Sequence, residues 1–285
     1  MGSRGRGAIF FFLLPSIAVL LLLFVYPFLY GLYLSFTTAE GAPTFTNYIR
    51  FFSDPYEARS ILVTLWISVP ATLINIGAAI PLAYYMRHGL RGEKIITFFL
   101  IVPITLGTVL ISEGMLTYMG PVGWLNQFLM FLHIVSAPVR FTHNYLGVLI
   151  ALIIQGFPLC FLMLLGYVSG INPDLEKASK MLGASQFETF RRVIFPLMVP
   201  GIAIAFCLSF VAMFSVFPSA QLLGEPSGPT RVMSIAAYHW AFEAFNFNVG
   251  SAISMTMAAI ELLIISGVLI WRNRIYKGAS IVGKG

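Results

Sequence analysis

The amino-acid sequence predicts an all-α membrane protein of six transmembrane helices. Composition, the spacing of apolar runs and the placement of basic residues carry that prediction. Of 285 residues, 58% are hydrophobic and 10% charged, and the mean hydropathy is +0.87. A soluble domain carries about 25% charged residues, so this chain lacks the polar surface that water requires. A bilayer accepts such a composition because apolar side chains face lipid without penalty. The net charge of +6 does not point to nucleic acid, since the basic residues flank apolar segments instead of forming one stripe.

A span needs about 20 mainly apolar residues. Six segments meet this length: Ala8–Tyr30, Leu62–Met86, Ile95–Tyr118, Leu146–Val168, Met198–Pro218 and Val249–Trp271. The first follows Arg4 and Arg6 like a signal peptide. It is longer than an ordinary signal core and lacks a small-residue cleavage site, so it reads as an uncleaved helix. Arg4, Arg6, Arg87, Arg91, Lys94, Lys177, Lys180, Arg191, Arg192, Arg272, Arg274, Lys277 and Lys284 all fall on one side. Only Arg50, Arg59, Arg140 and Arg231 fall on the other. The positive-inside rule then puts both termini in the cytoplasm.

The loops differ in kind. Residues 31–61 hold turn residues and a short helix, and residues 119–145, with Trp124, Phe128 and Phe131, suggest an interfacial helix. Loop 219–248 carries Gly224, Pro226, Gly228 and Pro229 and then the aromatic run from Tyr238 to Phe242. With no linker, low-complexity stretch or internal repeat, residues 1–285 read as one domain. Cys160 and Cys207 lie within apolar runs and read as packing residues. His133, His143 and His239 lack ligand spacing, which argues against a metal site.

Residues 169–199 form the longest loop on the basic side, and they are punctuated as two helices. Asn172-Pro173-Asp174 offers an N-cap, a proline at the first helical position and an acid in the first turn. Gly183 offers a left-handed C-cap. Ser185 and Glu188 then supply a capping box for a second helix, which Pro196 should end before Pro200 opens the fifth span. Phe187 and Phe190 share one face of that second helix. They either pack back on the loop or dock into a partner's groove.

The run from Asp174 to Ser185, with Phe187, Phe190 and Pro196, resembles the EAA loop of binding-protein-dependent ABC importer permeases. Ala178 and Ser179 match the two small residues of that motif, and Gly183, Ala184 and Ser185 match its glycine turn. Lys177 stands where the family carries an acid, and Glu176 sits one residue earlier. Leu14-Pro15, Tyr26-Pro27, Asn47-Tyr48, Asp54-Pro55, Pro81-Leu82-Ala83-Tyr84 and Ile101-Val102-Pro103 extend the likeness over most of the chain. The resemblance implies the type I ABC importer permease fold, with the 169–199 loop as its coupling helix–turn–helix. Lys177, Ala178, Ser179, Gly183, Ala184, Ser185, Phe187 and Phe190 are the residues expected to meet an ATPase subunit dimer.

The same resemblance implies a second permease subunit, normally a different one, and an extracytoplasmic solute-binding protein docking on loops 31–61 and 219–248. The chain has no G-x-x-x-x-G-K-[ST] motif, so ATP and Mg²⁺ are expected on the ATPase and no cofactor on this chain. Thr230 to Ser234, then Tyr238, Ala241-Phe242, Phe247 and Gly250-Ser251-Ala252, look like the sugar and glycerol-phosphate branch. Polyamine-type permeases share the loop and remain the alternative.

Polar residues within spans are the pathway candidates: Asn75, Glu113, Gln155 and Glu261. Carboxylates in hydrocarbon must face protein or water. Glu113 near an interface is open to plain solvation, and Asn75, Gln155 and Glu261 to interhelical hydrogen bonding. A kink at Pro158 would shape a cavity. A proton-coupled secondary transporter would show repeats or broken helices in matching halves, and the sequence signals neither. Nor does it signal an intramembrane catalytic cluster.

Overall fold

In the computed structural model the described residues are 13–89 and 92–275. They form helices α1 (Leu13–Ser35), α2 (Thr46–Ser53), α3 (Pro55–Met86), α4 (Glu93–Met119), α5 (Trp124–Phe131) and α6 (Tyr145–Ser169). After these come α7 (Asp174–Met181), α8 (Gln186–Phe214), α9 (Pro218–Leu223), α10 (Met233–Tyr238) and α11 (Phe247–Ile275). Six of them, α1, α3, α4, α6, α8 and α11, are long and apolar enough to cross a membrane. The expected first span begins at Ala8, and residues 8–12 lie outside the described residues.

Two compact units are present. The first joins the residues up to Arg59 with Ala236–Ala259. In it, the last carbonyls of α1 are satisfied by side chains instead of by more helix. Asn47 Nδ2 donates to Ser35 and Thr37 carbonyls at 3.0 and 2.9 Å, and Asn248 Nδ2 donates to Leu34 and Thr37 carbonyls at 3.1 and 2.8 Å. A helix end leaves four carbonyls unpaired; here the two asparagines take those of Leu34 and Ser35, and the Phe36 and Thr37 amides take those of Tyr33 and Leu34. Trp240 Nε1 donates to the buried Glu57 carboxylate at 3.1 Å, and the Arg50 guanidinium lies 4.3 Å from the Trp240 ring centre.

The second unit joins Ser60–Ile235 with the residues from Ile260 on. Two apolar clusters fill it. Ile67, Met115, Met119, Val148, Leu152, Met213 and Leu223 belong to one. Ile76, Met86, Phe161, Leu164, Val168, Ile194 and Met198 belong to the other. Prolines inside the spans are accommodated individually. Pro70 cannot donate to the Trp66 carbonyl four residues earlier, and the Tyr145 hydroxyl takes that carbonyl at 2.9 Å. Gly201 lets α8 and α6 meet at close range: a Cβ there would lie 2.3–2.7 Å from the Tyr167 ring.

Two expectations are corrected. Pro196 does not end the second loop helix, and the fifth span is not Met198–Pro218. Helix α8 runs unbroken from Gln186 to Phe214, and Pro218 opens α9. A π-turn at Phe190–Ile194 makes this continuity possible, with Phe195 N–H reaching the Phe190 carbonyl. The wider turn resets the hydrogen-bond ladder one residue before Pro196, which thus falls in the first turn of a new α-helical register, where a missing N–H costs little. The third span, in contrast, is broken where the sequence signals no break. Gly107 has φ +74° and ψ 162° inside α4, a conformation open only to glycine at low cost.

Candidate functional site

The site begins with the punctuation of the 169–199 loop. Asn172 Oδ1 accepts the Asp174 amide at 2.9 Å and starts α7. At the far end Gly183 takes φ +84°. Its amide bonds the Lys180 carbonyl at 3.0 Å, and the Ala184 amide bonds the Ser179 carbonyl at 3.2 Å, which is a Schellman closure. Ser185 and Glu188 form the reciprocal capping box that opens α8. The Ser179 and Thr189 hydroxyls lie 3.0 Å apart and tie the two helices together.

The loop has two opposed faces. On the anchored face Glu176 is buried, although it lies in a loop helix rich in charge. Its carboxylate meets Arg87 Nη1 at 3.1 Å and His88 Nε2 at 3.0 Å, both just beyond the end of α3. Arg87 Nη2 also donates to the Ile171 carbonyl at 2.9 Å, and His88 Nδ1 lies 3.0 Å from the Tyr84 carbonyl. Removing one partner of a buried ion pair typically costs about 3–5 kcal/mol, so this contact fixes α7 to α3. Phe190 joins the same side, its ring 4.8 Å from Tyr84 and 6.0 Å from Phe195.

On the free face Lys177, Ala178, Gly183, Ser185 and Phe187 are exposed, and Ala184 is half-buried. Met181 and Leu182 are 86% and 89% exposed and Phe187 is 69% exposed, a concentration of bare apolar surface on a polar loop. Such patches mark docking surfaces. Lys177 Nζ pairs with Asp174 Oδ1 at 2.9 Å. That hydrogen bond and charge hold the Lys177 ammonium above its ordinary pKa. A cleft of about 370 Å³ is lined by Pro81, Tyr84, Tyr85, Gln186, Phe187 and Phe190. Both rings line this cleft, Phe187 largely exposed and Phe190 packed on Tyr84 and Phe195.

The span candidates separate as well. Gln155 Nε2 donates to Ser112 Oγ at 3.2 Å and Ser219 Oγ at 3.0 Å, and the two hydroxyls are 2.9 Å apart. Three segments, α4, α6 and α9, meet at this polar knot. Asn75 is fully buried, donates to the Leu152 carbonyl at 3.3 Å, and packs against Gly156, where a Cβ would come within 2.5 Å of its Nδ2. Glu113 is exposed, turned away from its neighbour Ser112. Glu261 Oε1 accepts from Ser215 Oγ at 2.7 Å. Ser112 and Ser219 escape sequence reasoning because a lone serine in a span carries no signal until its partner is in place. Among the described residues no group of three His, Cys, Asp or Glu side chains is placed to hold a metal ion.

Residues 75–277 match the family of binding-protein-dependent transport system inner membrane components. The chain belongs to this family. Over 269 residues it is 28% identical to the spermidine/putrescine transport system permease protein PotB of Haemophilus influenzae, covering 90% of this chain and 87% of that one. Over 265 residues it is 29% identical to the trehalose transport system permease protein SugA of Mycobacterium tuberculosis, covering 89% and 85%. The fold is that of a chain in a bacterial alginate ABC transporter solved in complex with an alginate pentasaccharide-bound periplasmic protein. The TM-score is 0.81 at 20% identity, over 99% of this chain and 98% of the other. The chain is thus a permease subunit of an ABC importer with the type I fold, and a multi-pass membrane protein.

Proposed function

We propose that this permease supplies half of an ATP-driven import pathway, with both termini and the 169–199 loop in the cytoplasm. The bare face made by Met181, Leu182 and Phe187 carries the reading, because a polar loop keeps such a patch exposed only for a partner. That partner is a separate ATPase dimer, which binds the ATP and Mg²⁺ this chain has no motif to hold. Six spans enclose too little for a gated path, so a second, different permease subunit completes it. An extracytoplasmic binding protein delivers the solute to loops 31–61 and 219–248.

Two solute classes each have an observation in their favour. The similarity to PotB over nine tenths of the chain supports a polyamine, and the Glu113 and Glu261 carboxylates within spans suit a cationic solute. The similarity to SugA, with the residues from Thr230 to Ala252, supports a sugar instead. Reconstitution into proteoliposomes with the ATPase, the second permease and the binding protein tests both readings. Labelled spermidine and trehalose are offered outside, with ATP inside. ATP-dependent uptake of one solute assigns the class; uptake of either driven by a proton gradient without the ATPase would refute the importer reading.

A further inference from the structure

Lys177 occupies the position where the sequence resemblance leads one to expect an acid, yet the loop is not without one. Glu176 turns the opposite way from Lys177 and is 5% exposed, while every other charged residue of α7 faces solvent. Its two oxygens are shared between two side chains, Arg87 Nη1 at 3.1 Å and His88 Nε2 at 3.0 Å. The Arg87 side chain is 4% exposed and also holds the Ile171 carbonyl, so one guanidinium grips both ends of the turn that leads into α7. No other ionic contact among the described residues joins α7 to a membrane span.

A helix that only displays a docking face needs no such anchor, since the Schellman turn and the Ser179–Thr189 contact already hold it against the start of α8. The anchor instead connects α7 to a second span, α3. A rigid displacement of α7 therefore reaches α3 directly through the ion pair and α8 through the glycine turn. Because removing one partner strands a buried charge, the contact resists stretching and transmits force in both directions.

We propose that Glu176 is a positioning residue for coupling: its bond to Arg87 and His88 conveys movement of the loop helix α7 into the second span. This rests on the coupling role proposed above, and concerns contacts within this chain, not those with the ATPase. The test uses the complete transporter in proteoliposomes, offered labelled spermidine or trehalose, with molecules of the one that wild type takes up per ATP hydrolysed as the readout. For Glu176→Gln and Arg87→Gln, co-purification with the ATPase and ATP hydrolysis are expected to persist while that ratio falls about tenfold. Arg87→Lys keeps the charge that faces Glu176 but loses the forked grip on the Ile171 carbonyl, so its ratio is expected to fall between those of Arg87→Gln and wild type. A wild-type ratio in Glu176→Gln would overturn the proposal. If that variant fails to accumulate, Arg87→Gln and Arg87→Lys are compared, and equal ratios in the two would overturn it. A wild-type complex that takes up nothing with ATP counts instead against the importer reading.

Discussion

Two glycine-to-alanine substitutions in the same pair of spans are expected to shift stability in opposite directions. At Gly201 an added Cβ would sit 2.3 Å from Tyr167 Cγ and 2.4 and 2.7 Å from its two Cδ atoms. These are the near edge of the ring, so a flexible tip cannot swing away. Relief needs a new χ1 at Tyr167 or a separation of α6 and α8 by about 1 Å to reach ordinary contact. Overpacking of this kind costs about 1–3 kcal/mol, against about 1 kcal/mol recovered from helix propensity. The difference is a net loss of up to about 2 kcal/mol, about 1 kcal/mol at the middle of the range. At Gly166, one residue before Tyr167, a Cβ meets nothing within 4 Å, so Gly166→Ala keeps the propensity gain alone. Thermal unfolding of the detergent-solubilised chain separates them, with Gly201→Ala melting a few degrees below wild type and Gly166→Ala at or above it. A Gly201→Ala variant that melts no lower than wild type would refute the close α6–α8 approach.

Two further outcomes are expected. Gly183→Pro fixes φ near −65° where the chain needs +84°, and removes the amide bonded to the Lys180 carbonyl. It should leave membrane insertion intact while ATP hydrolysis no longer drives uptake, and normal uptake at normal expression would exclude a coupling role for the turn. Gln155→Leu removes the amide that donates to Ser112 and Ser219 and accepts from Ser219, yet those hydroxyls still reach each other at 2.9 Å. The loss of stability should therefore be small, about 1 kcal/mol by denaturant titration in micelles. A loss several times larger would mean that the knot holds α4, α6 and α9 together more tightly than its geometry implies.

Local signals were readable in the sequence. Asn172, Gly183, Ser185 and Glu188 act within a few residues of themselves, and each takes the cap its chemistry dictates. The spans followed from apolar length alone, to within a turn or two at most ends. What escaped depends on partners far along the chain or on backbone choices that several sequences share. Pro196 reads as a stop only if the turn before it is α-helical; a π-turn at Phe190–Ile194 removes the conflict. Gly107 is one of many glycines in apolar runs, and nothing local marks it as the one that breaks its helix. Phe190 shares a helical face with Phe187 by spacing, but Tyr84, more than one hundred positions earlier, draws it inward.

The pair Glu176 and Lys177 shows why a motif position and a physical role need not coincide. Matched by spacing, Lys177 is the departure and Glu176 a bystander. Matched by environment, the order reverses: Lys177 is exposed and paired with Asp174 within its own helix, while Glu176 is buried and ion-paired with Arg87 and His88, just beyond the end of α3. Helical geometry sets the difference. Adjacent residues point about 100° apart, so a one-residue shift moves a carboxylate from the docking face to the anchored face. A charge on the docking face can change sign together with its partner in another subunit. A buried charge answers to Arg87 and His88 in its own chain, and its sign is fixed by them. The acid of this loop thus serves the inside of the subunit, and the face proposed for a partner is apolar, with the Lys177–Asp174 pair at its edge.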